Sequence, residues 1–566
     1  MTTPIFRLPP EIVDHIFSFL HLSTASPSPG KRDRFGWLSY AHVCHRWREI
    51  ALNQPRFWNF IDFNTLTLAG ATEILVRSKE APLYLVVDFC PSDSDDDDHW
   101  NPERVDAVYN QLVAHASRIH TLNISSFDLS PLSLSRTLAR LTSPAPVLES
   151  LSLCAMNKWF IKKQRIPPTL FDSTAPRLIH LELDNCYISW SAPLLKGLRH
   201  LKLLYHDDTE RPDLQSWRDA MCELSRLESL VLHAATPIAP QVITSIPEPM
   251  QVVTLPCLTR LYLSDSANCC ALVLAHLVLP TLTSLRVDVM STSAWGKDLR
   301  ILLPHFARNA HGPQDTMPLQ SMVISACPTR TDILLWTIPD ADMEYHDNGS
   351  FTQASLSSRA AFTAFYPLWD LESSTAVCHT VLSALPMGSL STLTVLDYME
   401  PPKAFWRTNE PRWPLLKRVR LGCGSLLFFT SAAMEELPNE DTFLPSLTTL
   451  IITGGPLNEL NAVMLLYIST KQRIPIQTLD LSECGVEERT MRFLSDMVTD
   501  IREPVQTCRL QKLVWPATLI GWHPEYFADW SDEEDEDETD SDWENVYGEG
   551  DHGEGGFVVR ELDMDW

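Results

Sequence analysis

Two short stretches of the 566-residue chain have residue types and spacing that occur in ligand-binding loops. Residues 548–553 spell the phosphate-binding pattern G-x-G-x-x-G, but they follow no apolar strand and lie among carboxylates that would repel a phosphate. Residues 93–97 repeat the alternating aspartates of a calcium loop, but Asp98 stands where that loop needs glycine and Arg104 where it needs glutamate. Neither stretch predicts a site, and residues 93–97 are interpreted as part of a solvated loop.

Catalytic and metal-binding motifs are also missing from the rest of the sequence. It contains no phosphate-binding P-loop, no G-x-S-x-G nucleophile motif and no H-E-x-x-H zinc motif. The 18 histidines show no zinc-ligand spacing, and the 13 cysteines include no C-x-x-C pair. Scattered thiols are typical of a reducing compartment. We therefore expect an intracellular protein, cytoplasmic or nuclear, that is not an enzyme and has no metal or cofactor. An enzyme whose active site lacks any recognisable motif is the alternative, and nothing in the sequence favours it.

Most of the net charge of −27 comes from one segment. Residues 529–566 hold 17 acidic residues against one basic residue, Arg560, which is typical of a disordered, solubilising tail. Binding of basic partners by this tail is the alternative. No basic patch stands out elsewhere, so nucleic-acid binding is not expected. The longest apolar run, residues 271–279, is about half the length of a membrane span, so no membrane association is expected.

One apolar phrase, L-x-x-L-x-L, recurs through the middle of the chain at steps of roughly 20 to 37 residues, a range typical of repeat arrays. Alternating apolar positions predict a short strand at each copy, and helical patterns at residues 213–224, 460–468 and 489–498 predict helices between strands. The copies begin at Leu148, Leu178, Leu198, Leu227, Leu258, Leu282, Leu319, Leu416, Leu447, Ile476 and Leu510, with a weaker one at Leu393.

The phrase resembles the leucine-rich repeat, whose pattern continues with Asn or Cys three residues after the third apolar position. Cys186, Cys327 and Cys484 hold that place, which favours a structural role for these thiols. The resemblance implies an α/β solenoid over residues 148–528, with parallel strands on the concave side and helices outside. Residues 331–390 interrupt the phrase and hold either degenerate repeats or a projecting loop. Residues 60–147 are interpreted as a linker with atypical first repeats and an acidic loop at 91–102.

Residues 1–59 have a different pattern, that of two amphipathic helices. Apolar residues at Ile12, Ile16 and Leu20 follow helical spacing after two prolines that suit a first helical turn. A second helical stripe runs from Leu38 to Ala51 and is expected to end near Asn53 and Pro55.

These two helices resemble the F-box, whose pattern is L-P-x-E-I…I-F…L…V-C-x-x-W-x-x-I-A…W. The link at residues 21–36 is longer than usual for the family, which a solvated loop tolerates at small entropic cost. The matching positions are Leu8, Pro9, Glu11, Ile12, Ile16, Phe17, Leu20, Val43, Cys44, Trp47, Ile50, Ala51 and Trp58.

The resemblance implies a substrate-recognition subunit of a cullin-type ubiquitin ligase. The F-box would dock on a Skp-type adaptor, and through it a cullin, while the repeats bind an unknown protein target. The alternative is a leucine-rich-repeat scaffold unconnected with ubiquitin, in which the N-terminal helices cap the solenoid. The adaptor contacts implied by the family pattern are Leu8, Pro9, Ile12, Ile16, Leu20, Val43, Cys44, Trp47 and Ile50.

Overall fold

A computed structural model describes the larger part of the chain. The described residues are 8–24, 42–89, 102–127, 134–156, 164–205, 211–239, 251–290, 299–311, 318–327, 330–338, 360–365, 371–385, 387–396, 403–434, 443–457, 465, 476–486 and 500–502. Several predictions lie outside these ranges: the loop at 91–102 up to residue 101, most of the link between the first two helices, the helix at 460–468 except residue 465, the helix at 489–498, the phrase at Leu510, and the tail.

The described residues form a mixed α/β structure. The strands are β1 (Phe60–Asp62), β2 (Leu83–Phe89), β3 (Ile119–Phe127), β4 (Ser150–Met156), β5 (Gln164–Arg165), β6 (His180–Asp184), β7 (Cys186–Tyr187), β8 (His200–Leu204), β9 (Ser229–His233), β10 (Val253–Thr254), β11 (Arg260–Asp265), β12 (Leu277–Val278), β13 (Ser284–Val289), β14 (Ser321–Cys327), β15 (Arg330–Trp336), β16 (Ala360–Phe365), β17 (Thr392–Val395), β18 (Arg418–Gly422), β19 (Thr449–Leu457), β20 (Thr478–Val486) and β21 (Asp500–Arg502).

Helices connect many of these strands. They are α1 (Pro10–Thr24), α2 (His45–Asn53), α3 (Leu68–Arg77), α4 (Pro102–Ala114), α5 (Leu134–Arg140), α6 (Leu214–Glu223), α7 (Ala267–His276), α8 (Leu299–His311), α9 (Leu371–Ala384), α10 (Lys403–Asn409) and α11 (Cys423–Met434). Short 3₁₀ turns occur in several connections, for example at Pro55–Trp58 and Pro193–Leu195. The predicted helix at 213–224 is confirmed as α6, with the Asp213 carboxylate accepting a hydrogen bond from the Ser216 amide at its start.

Seventeen of the described strands form one open sheet. Its spatial order is β1, β2, β3, β4, β6, β8, β9, β11, β13, β16, β15, β14, β17, β18, β19, β20 and β21. Neighbours pair in parallel except at β15, and a strand is present at each described copy of the apolar phrase.

Alternation of side chains explains why the phrase makes these strands. Leu151 and Leu153 of β4 are buried on one side of the sheet, and parallel pairing aligns them with Leu181 and Leu183 of β6. The residue between each pair faces the opposite side, because successive side chains of a strand alternate. One continuous hydrophobic core collects these leucines and the buried faces of the helices. We call the other side of the sheet the polar face.

The all-parallel arrangement expected from the phrase fails at β15. Only two residues separate β14 from β15, too few for a crossover, so the two strands pair antiparallel. Strand β16 then pairs antiparallel with β15 and parallel with β13, and β17 pairs with β14. Two strands thus lie between β13 and β14 in the sheet. The described part of residues 331–390 contributes strands and helix α9 rather than a projecting loop.

Two small parallel pairs lie beside the main sheet, β5 with β7 and β10 with β12. Cys186 in β7 is fully buried, as its place in the repeat pattern predicts, and burial raises the pKa of its thiol. Cys484 is also buried, while the side chain of Cys327 is outside the described set.

Arginines from following segments satisfy the carbonyl groups at three helix ends. The last carbonyls of a helix lack backbone partners and carry the negative end of the helix dipole. Arg118 donates to Leu75 O (3.1 Å) at the end of α3 and to Ser78 Oγ (2.9 Å) just beyond it. Arg308 donates to Leu274 O (2.7 Å) in α7, and Arg412 donates to Leu385 O (2.7 Å), just after α9.

Replacement of Arg118 by alanine should therefore destabilise the first units of the sheet. It leaves several partly buried acceptors around α3 without their charged donor, and we expect the free energy of unfolding to fall by about 2 kcal/mol. Urea denaturation followed by circular dichroism measures this. The exposed Arg226 gives the matched control, since Arg226→Ala should change stability by less than about 0.5 kcal/mol. Equal effects of the two substitutions would contradict the capping role.

Candidate functional site

Helix α1 begins where its sequence predicts. Pro10 occupies the first helical position, and the carbonyl of Pro9 accepts hydrogen bonds from the amides of Ile12 (3.1 Å) and Val13 (3.2 Å). Glu11 places a carboxylate at the positive end of the helix dipole. The guanidinium of Arg46 in α2 donates to the carbonyl of Leu8, which ties the start of α1 to the second helix.

Aromatic packing holds α1 and α2 together. The ring of Phe17 is fully buried and meets Trp47 edge to face, with 5.1 Å between ring centroids, and Phe57 lies 6.4 Å away on another side. Cys44 starts α2, where its Sγ accepts from the amide of Trp47 at 3.5 Å. The helix ends at Asn53, as predicted.

The same core continues from these helices into the sheet. Trp58 is buried, its indole N–H donates to Leu52 O at 3.0 Å, and the guanidinium of Arg77 lies 4.5 Å from its ring centroid. Two residues further on, the chain enters edge strand β1, whose Ile61 is completely buried. The two helices and the sheet are thus joined by packing and not only by the chain.

The other side of α1 is apolar and exposed. Ile12, Ile16 and Phe19 follow one helical face at i, i+4 and i+7 and remain 47%, 36% and 70% exposed. Val43, just before α2, is 57% exposed. Such a stripe indicates a surface that another protein covers, because soluble proteins rarely expose contiguous apolar patches without a binding role.

The structure divides the predicted adaptor contacts into two groups. Pro9, Ile12, Ile16 and Val43 are exposed, so they are available to a partner. The half-buried residues are Leu8, Cys44, Trp47 and Ile50, of which Leu8, Trp47 and Ile50 pack against the core. Leu20 lies on α1, but its side chain is outside the described set.

Comparison with known proteins bears on this N-terminal region. Residues 5–64 match the family model described as F-box-like. The matched segment contains α1, α2 and β1, so it ends two residues beyond the first strand of the sheet. No curated protein matches the chain.

Phe19 is an exposed apolar residue of the F-box-like segment that the family pattern missed. Among the described residues of this segment it is the most exposed large apolar side chain, yet the F-box phrase does not include its position. The signal that could have found it is helical spacing, because Phe19 lies three residues after Ile16 and seven after Ile12.

A second candidate surface is a row of rings on the polar face near the start of the strands. His180 of β6 and His200 of β8 stack with 4.1 Å between centroids and 5° between planes, because the register places them directly opposite. Tyr84 of β2 and His120 of β3 form a tilted pair at 4.9 Å. Ser150 of β4 lies level with His180, between the two ring pairs.

Carboxylates border this row of rings. Glu149, which precedes Ser150, places Oε2 3.2 Å from Nε2 of His120, and Glu228 places Oε2 3.9 Å from Nε2 of His200. Glu228 also accepts from Arg199 at 3.2 Å.

Burial lowers the pKa of both stacked histidines. It lowers the pKa of His180, against the opposing pull of Glu149 and Glu228. Burial and the neighbouring His180 lower the pKa of His200 to about 4, with Arg260 and Arg199 acting in the same direction.

Buried charges lie further along the polar face. Arg286 of β13 is hydrogen-bonded to Asp288 through Nε (3.2 Å) and an Nη atom (3.1 Å), and Asp288 also accepts from the hydroxyl of Tyr262 at 2.8 Å. Burial opposes the charge on Arg286, but Asp288, Tyr262 and Asp332 outweigh burial and raise its pKa. Asp332 of β15 accepts from Thr363 at 2.7 Å. These side chains satisfy one another, which makes a structural role sufficient for them.

Metal-binding groups and membrane spans were sought only within the residues that the structure describes. There, no group of three or more His, Cys, Asp or Glu side chains is arranged to hold a metal ion. No described helix is long and apolar enough to cross a membrane.

Truncation of the two phenylalanines of α1 should affect stability to very different extents. Phe17→Ala removes a fully buried ring between α1, α2 and the sheet, and we expect it to cost about 3 kcal/mol of unfolding free energy. Phe19→Ala removes an exposed ring and should change stability by less than about 0.5 kcal/mol. Denaturant unfolding of the full chain compares them, and a large loss for Phe19→Ala would show that its ring is packed.

The stacked histidines predict a pH effect. The pKa of His200 in the folded chain, about 4, lies below its ordinary value of 6.5. The contribution of His200 to folding stability is therefore fully present above pH 6.5 and is lost as the pH falls towards 4. Nuclear magnetic resonance titration of the ring protons should give this low pKa. His180→Ala uncovers the His200 ring and removes the electrostatic opposition of His180 to protonation of His200, so it should raise the pKa of His200 towards 6.5. An unchanged value would contradict the stacking.

Proposed function

We propose that this chain is a substrate-recognition subunit of a cullin-type ubiquitin ligase. In this role the F-box-like segment docks on a Skp-type adaptor, and through it a cullin, while the sheet-bearing remainder binds a target protein. The chain performs no covalent chemistry itself. It acts by proximity, because holding a target near a charged conjugating enzyme raises the effective concentration of target lysines.

The exposed stripe of Ile12, Ile16 and Phe19 is the observation that carries this proposal. The family match at residues 5–64 agrees with it, since F-box domains typically bind Skp-type adaptors. A helix that served only to cover the end of the sheet would bury its apolar face there, and α1 does this with Val13 and Phe17. Its second apolar face needs a different partner.

We also propose that the strands and helices after residue 59 form a leucine-rich-repeat solenoid that presents its polar face to the target. In-register parallel strands, each followed by a turn or helix on the core side, support this interpretation. The strand order at β14–β16 departs from a simple array. In this role the chain binds a protein target and acts in the cytoplasm or the nucleus.

The alternative is an interaction scaffold in which the N-terminal helices cap the array. The shared core agrees with a capping role, because Phe57, Trp58 and Ile61 are buried between the helices and the first strand. Deleting residues 1–59 cannot separate the two functions, because both predict that the deletion exposes that core. Surface substitutions on α1 can separate them.

The decisive experiment is capture of the adaptor by the tagged full-length chain from its native cells, with mass spectrometry of the bound proteins. Ile12→Glu with Ile16→Glu places two charges in the stripe, and we expect adaptor and cullin capture to fall by at least about a hundredfold, since desolvating an unpaired charge is costly. Val76→Glu, on α3 at a residue 67% exposed, is the matched control and should capture adaptor normally.

Thermal melting of each purified variant shows whether it remains folded. Normal adaptor capture by the double variant would contradict docking through this stripe. A wild-type chain recovered without an adaptor would favour the scaffold.

A further inference from the structure

The row of rings on the polar face contains a notch at Ser150. Ser150 lies between Thr121 of β3 and His180 of β6 in the same level of the ladder, and its side chain is much smaller than the imidazole beside it. Neighbouring strands are roughly 4.8 Å apart, so about 9.6 Å separates the strands that form the two walls. We call Thr121, Glu149, Ser150 and His180 the Ser150 notch.

One wall of the notch is a flat, supported ring face. His200 stacks on one face of His180 at 4.1 Å, which leaves the opposite face of His180 turned towards β4 and Ser150. The stack also restricts rotation of the His180 ring, whose plane lies within 5° of the plane of His200. A planar group that enters above Ser150 would lie against this face.

The end of the notch is a carboxylate. Glu149 directly precedes Ser150, its Oε2 faces His120 at 3.2 Å, and its side chain is partly exposed. Its charge also acts on two other rings of the row, since it raises the pKa of Tyr84 in addition to burial and opposes the lowered pKa of His180. Glu149 thus lies at the centre of the row, where its Oε1 can accept from an incoming donor.

We propose that the Ser150 notch binds an arginine side chain of the target protein, with the guanidinium stacked on His180 and hydrogen-bonded to Glu149. A guanidinium is planar, stacks on aromatic rings and pairs with carboxylates through two N–H groups, so it fits both surfaces at once. The lowered pKa of His180 supports this, because it favours the neutral imidazole, which does not repel a cation. This inference rests on the proposed target-binding function and names one group that the target must carry.

The charged groups around the notch are consistent with one added cation. Glu149 and Glu228 face the rings from one side, and Arg199 pairs with Glu228 at 3.2 Å. In the next level of the ladder, Glu182 and Lys202 pair at 2.7 Å. Of these three glutamates, Glu228 contacts an arginine and Glu182 contacts a lysine, whereas Glu149 contacts a histidine.

The test uses the full-length chain immobilised on beads and pools of decapeptides with random flanks around a fixed central residue. The central residue is arginine, lysine or citrulline, which keeps the shape of arginine without its charge. We expect the arginine pool to be retained roughly tenfold more than the citrulline pool, as suits a charge-assisted pair. Equal retention of the two pools, or equal retention of the lysine pool, would overturn the assignment to a guanidinium.

Variants locate the binding. Glu149→Gln keeps the shape of the side chain and should abolish the arginine preference, and Ser150→Leu should do the same by filling the notch. Ser152→Leu, two residues further along the same face of β4, is the matched control and should retain the preference. The proposal fails if Glu149→Gln keeps the preference, or if Ser152→Leu loses it to the same extent as Ser150→Leu.

Adaptor capture is measured on the same variants. It depends on α1 and the start of α2, so it should be unchanged by Glu149→Gln. Absence of adaptor from the wild type would count against the ligase function, whereas loss of the peptide preference would count against the notch alone.

Discussion

The in-register parallel pairing of neighbouring strands is the constraint on which the rest of this structure depends. Leu151, Leu181 and Leu201 form one buried row across β4, β6 and β8, and a slip of one residue in any strand would turn its leucines to the polar face. A register fixed by the core also fixes every residue of the polar face. His180 and His200 are twenty residues apart in sequence, yet they stack because the leucines that follow them are aligned.

The same constraint explains how the sheet accommodates β14, β15 and β16. Core-facing residues continue the buried rows there, with Ile333 of β15 opposite Ile324 of β14 and Phe362 of β16. The polar face changes character instead, since Val323, Leu334, Trp336 and Ala361 form a second small apolar cluster on it. Next to this cluster, Arg286 donates to Asp288 and Thr363 donates to Asp332, which lowers the cost of burying these charges. An antiparallel strand is tolerated because both of its faces are packed.

Sequence patterns predicted the regular parts of the fold and missed what depends on contact between distant segments. The leucine phrase located the described strands of β4, β6, β8 and later copies, because period-two alternation with one buried face is a local signal. Strands β15 and β16 escaped it, since apolar residues on both faces hide the alternation.

The candidate sites show the same division. On α1, the family pattern named Ile12 and Ile16 and omitted Phe19, because it records a phrase and not a helical face. The Ser150 notch was beyond sequence reasoning, because its serine, glutamate and histidine come together for the proposed binding role only when β4 and β6 are paired in register.

The shared core of the helices and the first strands places a physical limit on how the chain can work. Phe17 and Phe57 join α1 to the 3₁₀ turn before β1, and Trp58 is held by Leu52 of α2 and Arg77 of α3. Reorienting the helix pair against β1 would expose these rings, at a cost of about 2 kcal/mol or more for each buried aromatic side chain. Proximity catalysis gains most when the two bound partners have little freedom relative to each other. The packing around Trp58 therefore does more than complete a core: it restricts the motion of the α1 stripe relative to the first strands of the sheet.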